Sequence, residues 1–220
     1  IWGSIESLYK TGNYPFISFC LRRKGQILLN RSIGYAQGNS AQGLANDALI
    51  GNPETPVCLF SASKMITAML VHKLNEMGEI NLLNPISYYL PEYAQNGKRR
   101  ATIFHLLSHR GGIPRIDMPV TPELLFDRAQ IVKHLYAAKP ISAAGSHLAY
   151  HAVTAGYILG ELIERVTGQD FRQFLHEQIE QPMGMDYFNY GLKPEFRDQM
   201  ALNYPTGIHP KLGTDHYLNR

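Results

Sequence analysis

Apolar positions at the start of the chain recur every three to four places. Ile1, Trp2, Ile5, Leu8 and Tyr9 share one helical face, which Gly12 ends. The period then shortens: "FISFCLRRKGQILLNRSIGYA" (16–36) holds two β-rich runs around Arg23-Lys24-Gly25 and predicts a hairpin. Residues 36–56, rich in Gly, Asn, Pro and Ala, read as a long loop. From Ser61 the helical period returns in Met65, Ile66, Met69, Leu70, Leu74 and Met77, until Gly78-Glu79.

Helical signals continue to about residue 182. Thr102 can cap "IFHLLSHR" before Gly111-Gly112, and Thr121-Pro122-Glu123 opens another helix with proline in its favoured first position. "AYHAVTAGYILGELIERVTG" (149–168) predicts a further helix, with Tyr150 at its start. Asp170 and Gln173 form a capping-box start for "FRQFLHEQIE". The tail from Tyr190 to Arg220 carries no clear period. One hairpin is not stable alone, so its sheet needs a covering helix or further strands, expected from the tail or from chain beyond residue 220.

Composition narrows the class. With 220 residues and 45% hydrophobic positions the chain can bury a full core. The net charge of +3 is scattered, with only Arg22-Arg23-Lys24 and Lys98-Arg99-Arg100 grouped, too little for a nucleic-acid footprint. No apolar run approaches a membrane span, and no signal peptide precedes the first strand; the chain begins at Ile1, which leaves cytoplasm and periplasm both open. Cys20 and Cys58 lie in apolar runs and are expected to be small buried hydrophobes.

Ser61 and Lys64 carry the first candidate chemistry. Residues three apart on a helix lie one turn apart on one face, so the lysine amine can reach the serine hydroxyl. A serine at a helix start also has a free backbone N–H that can meet a developing oxyanion. Spacing alone decides little. Eleven serines and nine lysines supply about half of one S-x-x-K by chance, and Ser7 to Lys10 is a second copy. Ser61 follows a β-like run at a helix start whereas Ser7 lies inside a helix, so Ser61 is a nucleophile or a cap.

Other candidates are weaker. No Gly-x-Ser-x-Gly elbow occurs. Ser108 lies between His105 and His109, but its immediate neighbour His109 would point away on a helix, and the serine reads as structural. His105 with His109 and His147 with His151 have metal-ligand spacing, without an acidic partner at the expected offset. Tyr150 is core or rim by default, and a proton shuttle if a cation lowers its pKa.

Together these residues resemble the serine β-lactamase and penicillin-binding-protein superfamily, especially class C β-lactamase-like and family VIII carboxylesterase members. "FSASKMITAMLVHKLNEMGEINLLNPISYYLPEY" is similar to its nucleophile helix and the segment after it, "ATIFHLLSHRGGIP" to its "T-I-x-H-L-L-T-H-x-S-G-L-P" stretch, and "AYHAVTAGYILGELIERVTGQDF" to its tyrosine motif and the helix beyond. The resemblance covers roughly residues 15 to 190 and implies an α+β, transpeptidase-like fold. Residues 1–60 would begin the α/β lobe with its antiparallel sheet. Residues 61–78 would form the nucleophile helix at the seam and 79–190 an all-helical lobe. Residues 191–220 would be an unassigned tail, leaving the domain incomplete.

The resemblance also implies acyl transfer without a cofactor or metal, with Ser61 as nucleophile, Lys64 as its activating amine and Tyr150 as the proton relay. The substrate would be a small ester, amide or lactam. Two departures bear on it. The frequent Tyr-x-Asn is here Tyr150-His151-Ala152, which favours an esterase over a β-lactamase. The third motif, Lys-Thr-Gly or His-x-Gly on a facing strand, has only a faint counterpart in Lys211-Leu212-Gly213-Thr214. A D-alanyl-D-alanine peptidase and a non-catalytic binding protein of the same fold are the alternatives.

Overall fold

The computed structural model describes residues 1–40, 43–119 and 121–204. It divides into two compact units, one of residues 1–58 with the chain from Gly191, the other Leu59–Tyr190.

In the first unit, helix α1 (Trp2–Tyr9) packs on an antiparallel pair, β1 (Phe16–Arg23) and β2 (Gln26–Gly34). Lys24 and Gly25 both have positive φ, 49° and 79°, which suits a two-residue hairpin turn whose twist matches its strands. The helix covers the pair only in part, since no residue of α1, β1 or β2 is fully buried, and the Arg31 guanidinium lies over the Trp2 ring, 4.3 Å from its centroid. The period of two turns Ile17, Phe19 and Leu21 to the covered side and Ser18, Cys20 and Arg22 to solvent. Cys20 is therefore exposed, as is Cys58, against the expectation of burial.

The expected long loop contains a short ladder, β3 (Asn39–Ser40) with β4 (Gly43–Leu44). The tail supplies backbone partners to this unit: Ala201 N donates to Pro56 O at 2.9 Å and Leu202 N to Ala36 O at 2.8 Å. Gln37 Nε2 donates to the carbonyls of Asp198 and Met200.

The second unit is helical: α2 (Ser63–Glu76), α3 (Ile86–Tyr89), α4 (Ile103–Leu107), α5 (Arg128–Ala137), α6 (Thr154–Thr167) and α7 (Phe171–Leu175). Helix α6 packs against α2, α5 and α7. It buries Ala155, Ile158, Leu159, Leu162 and Ile163, the i, i+3, i+4, i+7, i+8 stripe of an amphipathic helix. Leu70, Val71 and Leu74 of α2 meet that core. Each such fully buried side chain contributes about 2 kcal/mol. The α2 stripe is narrower than its apolar spacing predicts, because Met65, Met69 and Met77 stay exposed.

Helix starts follow local chemistry. Thr102 and His105 form a reciprocal cap at α4: Thr102 Oγ1 accepts from His105 N, and His105 Nδ1 accepts from Thr102 N. Helix α5 starts later than Thr121-Pro122-Glu123 suggests. Thr121 Oγ1 accepts from Leu124 N, where only a 3₁₀ turn forms at Leu124–Phe126, and the Asp127 carboxylate accepts from Gln130 N to begin the α-helix. Asp170 caps α7 through Arg172 N, while Gln173 turns instead to Glu177.

Lys98, a surface charge by sequence, is buried with 1% exposure. Its ammonium donates to the carbonyls of Gln95, Tyr136 and Ala138, using all three of its hydrogens to join the 91–97 segment to the end of α5. Burial pulls its pKa down to about 8.

Candidate active site

Ser61 does not cap α2. It lies in a 3₁₀ turn, Phe60–Ala62, and the N-cap position of α2 is Ala62, which has no side-chain cap. The neighbouring Ser63 hydroxyl is turned back to Phe60 O at 2.6 Å. Phe60 enters the turn with φ 45°, a left-handed conformation rare for a large side chain. The strained residue stands directly before the exposed Ser61 hydroxyl.

That hydroxyl has two donors. Lys64 Nζ reaches Ser61 Oγ at 3.2 Å from the first turn of α2, and the Tyr150 hydroxyl reaches it at 2.7 Å from 89 residues away. Lys64 also lies 5.0 Å from the centroid of the Tyr150 ring. The hydrogen bonds to Ser61 and then Lys64, with a lesser pull from the lysine charge, hold the Tyr150 pKa below that of an ordinary phenol against the opposing effect of desolvation. Lys64 is half-buried; Ser61 and Tyr150 are exposed.

Tyr150 precedes α6 instead of starting it, since the helix begins only at Thr154. The segment 149–153 is irregular and held by side chains. Thr154 Oγ1 donates to Ile113 O at 2.6 Å, and the buried His151 accepts from Ile113 N at Nε2, 3.1 Å. A Cβ at Gly111 would stand 3.2 Å from His151 Nε2, so the Gly111-Gly112 pair lets the 111–113 turn approach the ring closely. Gly112, with φ 84°, would also drive a Cβ into the Ser142 carbonyl.

The histidine pairs are divided among different tasks. His105 caps α4, His147 meets the Ser146 hydroxyl, and His109 and His151 stack on one another with centroids 5.9 Å apart. Among the described residues no group of three His, Cys, Asp or Glu is placed to hold a metal ion. Ser108 donates to Phe104 O at 2.8 Å, a bond within its own helix turn. Lys211-Leu212-Gly213-Thr214 lies outside the described residues. Sequence reasoning missed His109 and His151 as neighbours of Tyr150; their one signal was the pair of histidine positions in the stretch before Gly111 and at the tyrosine motif.

The Beta-lactamase family model matches residues 4–217, so the chain belongs to that family. Among curated relatives, the esterase/beta-lactamase LipL of Mycobacterium tuberculosis is 32% identical over 136 residues, 62% of this chain and 31% of the relative. Esterase EstB of Burkholderia gladioli is 29% identical, over 74% of this chain and 44% of its own. The D-alanyl-D-alanine-carboxypeptidase/endopeptidase AmpH of Escherichia coli K12 is 30% identical over 64% of this chain and 38% of its own.

Two solved structures, a penicillin-binding-protein homologue from Caulobacter crescentus and a family VIII carboxylesterase, each superpose with a TM-score of 0.82 at 28% identity. Each match covers 91% of this chain, and 52% and 53% of the respective structures. The fold is thus the β-lactamase/transpeptidase-like fold, here as a small antiparallel sheet with many helices. The chain spans about half the length of these solved relatives and less than half of those curated ones.

Proposed function

We propose that the protein is a serine hydrolase that acts on small carboxylic esters through an acyl-enzyme, with Ser61 as nucleophile, Tyr150 as base and Lys64 as the cation that keeps Tyr150 acidic. One observation carries this reading: the Ser61 hydroxyl meets both the Tyr150 phenol and the Lys64 ammonium within hydrogen-bond reach.

Tyr150 as phenolate takes the Ser61 proton while Oγ attacks the ester carbonyl. The oxyanion forms beside the Ser61 amide, which lies in the first turn leading into α2, where N–H groups have no intrahelical acceptor. Collapse of the tetrahedral intermediate breaks the bond to the leaving alkoxide, which takes the proton back from Tyr150. Water, deprotonated by Tyr150, then attacks the acyl carbonyl and frees the acid, and the proton returns to Ser61.

Ala152 in place of an asparagine removes an amide that would hold a lactam side chain, which supports an ester over a lactam. The names of LipL and EstB agree with an ester substrate. A D-alanyl-D-alanine peptidase is the second reading, supported by the likeness to AmpH. A fluorophosphonate probe and a fluorescent penicillin test the nucleophile: labelling by either, lost in Ser61→Ala, is the expected result. A protein that neither probe labels would leave the non-catalytic reading. Faster turnover of p-nitrophenyl acetate than of nitrocefin is expected, and the reverse order would overturn the ester preference.

A further inference from the structure

A single residue accepts both peptide N–H groups that flank Tyr150. The His109 carbonyl accepts from Ala149 N at 3.0 Å, and His109 Nδ1 accepts from His151 N at 3.2 Å. Between these bonds the Tyr150 ring meets the His109 ring edge-on, with centroids 4.9 Å apart. His151 stacks on His109, and its tautomer is set by its partners: Nδ1–H donates to Ala149 O at 2.6 Å while Nε2 accepts from Ile113 N.

His109 occupies an unusual place for such a residue. It comes directly after the C-cap of α4, Ser108, with φ 59°, the left-handed position that glycine or asparagine ordinarily takes after a helix. A side chain with a Cβ is disfavoured there, yet this one is where both bonds to the tyrosine segment are made.

We infer that His109 is the positioning residue for Tyr150, holding the phenol at the Ser61 hydroxyl, and that it does so only as a neutral imidazole. The inference rests on the hydrolase reading for its kinetic consequence but not for its geometry. Nδ1 accepts the His151 N–H only while unprotonated; a proton there turns the acceptor into a donor and releases one side of the tyrosine segment. It would also set a second cation beside Lys64. The titratable groups facing His109 are Lys64 from α2 and Tyr150 and His151 from the 149–153 segment. Burial first, then the Lys64 charge, holds the His109 pKa below the usual histidine range, which keeps the clamp closed into mildly acid solution.

The test monitors Tyr150 itself. With 3-fluorotyrosine at position 150 of the whole chain, its ¹⁹F resonance is tracked against pH. In the otherwise wild-type protein an acid step is expected, separate from the phenol's own ionisation. His109→Asn keeps an acceptor and suits the left-handed backbone, so the acid step should vanish with the resonance otherwise in place. His109→Ala should displace the resonance at every pH.

In parallel, the rate of Ser61 labelling by a fluorophosphonate probe should fall with the Tyr150 phenolate in both proteins as pH drops, with a further acid loss in wild type that His109→Asn lacks. For His109→Ala it should drop about tenfold or more, with an unchanged half-saturating probe concentration. An acid step that persists in His109→Asn overturns the inference, as does a wild-type resonance in His109→Ala. If the alanine variant does not fold, the asparagine variant alone decides. If no protein labels, the hydrolase reading fails, and the fluorine titration still judges the clamp.

Discussion

Two stretches of this chain carry a serine three residues before a lysine, and they differ in what the serine hydroxyl meets. Ser7 lies inside α1, where its hydroxyl bonds back to the Gly3 carbonyl at 2.9 Å, and Lys10 caps the helix end. Ser61 lies in a 3₁₀ turn before α2, so no carbonyl four residues back belongs to a preceding helical turn. Its hydroxyl is left to Lys64 and Tyr150. The same spacing is inert inside a helix because the helix's own carbonyls compete for the hydroxyl. Where the backbone enters the helix through a strained residue, the hydroxyl is left to side chains.

Replacing each serine by alanine gives the largest expected contrast. Ser61→Ala should lower hydrolysis of p-nitrophenyl acetate by about 10⁴-fold or more, and Ser7→Ala should leave it unchanged. Equal effects from both would erase the distinction between the two serines.

The lysines come next. Lys64→Met removes the cation from Tyr150 and should slow turnover by about 10² to 10⁴-fold, whereas Lys10→Met should have no effect. Activity of wild type should rise with pH as Tyr150 loses its proton, and this rise should begin below the range of an ordinary phenol because the Ser61 and Lys64 bonds lower its pKa. In Lys64→Met the rise should move to higher pH. A profile unchanged by that substitution would mean that the lysine does not tune the tyrosine.

Stability gives smaller effects. The folded pKa values of His109 and His151 are both depressed, His109 by burial and Lys64 and His151 chiefly by burial. Their unfolded forms therefore bind protons more readily, and the stability they contribute, present above a pH of about 6.5, should be lost as pH falls through their folded values. Urea unfolding across that range, compared with His109→Asn, measures it; a smaller loss in the variant is expected. The least effect is expected from Phe60→Gly, which relieves a left-handed turn but frees the unfolded chain. It should change stability by about 1 kcal/mol or less while slowing Ser61 labelling, a result that would tie the turn to chemistry and not to folding.

Much of the fold was legible because it obeys local rules. The alternation of residues 16–34, the positive-φ turn at Lys24-Gly25 and the caps at Thr102 and Asp170 are set by neighbours in the chain. Burial was less legible. Lys98 reads as a surface charge, and only three carbonyls from two segments make its burial tolerable. Met65, Met69 and Met77 have helical spacing but lie outside the buried stripe, which apolar character alone cannot reveal. The starts of α5 and α6 came later than predicted because Asp127 caps the first and Thr154 holds the second to Ile113.

By itself, the sequence determined the bodies of α2 and α6, where the hairpin turns and that Ser61 stands one turn from Lys64, because these depend on residues within a few places of one another. Only the tertiary structure decided what the Ser61 hydroxyl meets. Tyr150 arrives from 89 residues away on an irregular segment held by His109, Ile113 and Thr154. No local preference encodes that meeting, since its bonds join residues about forty to ninety places apart in the chain.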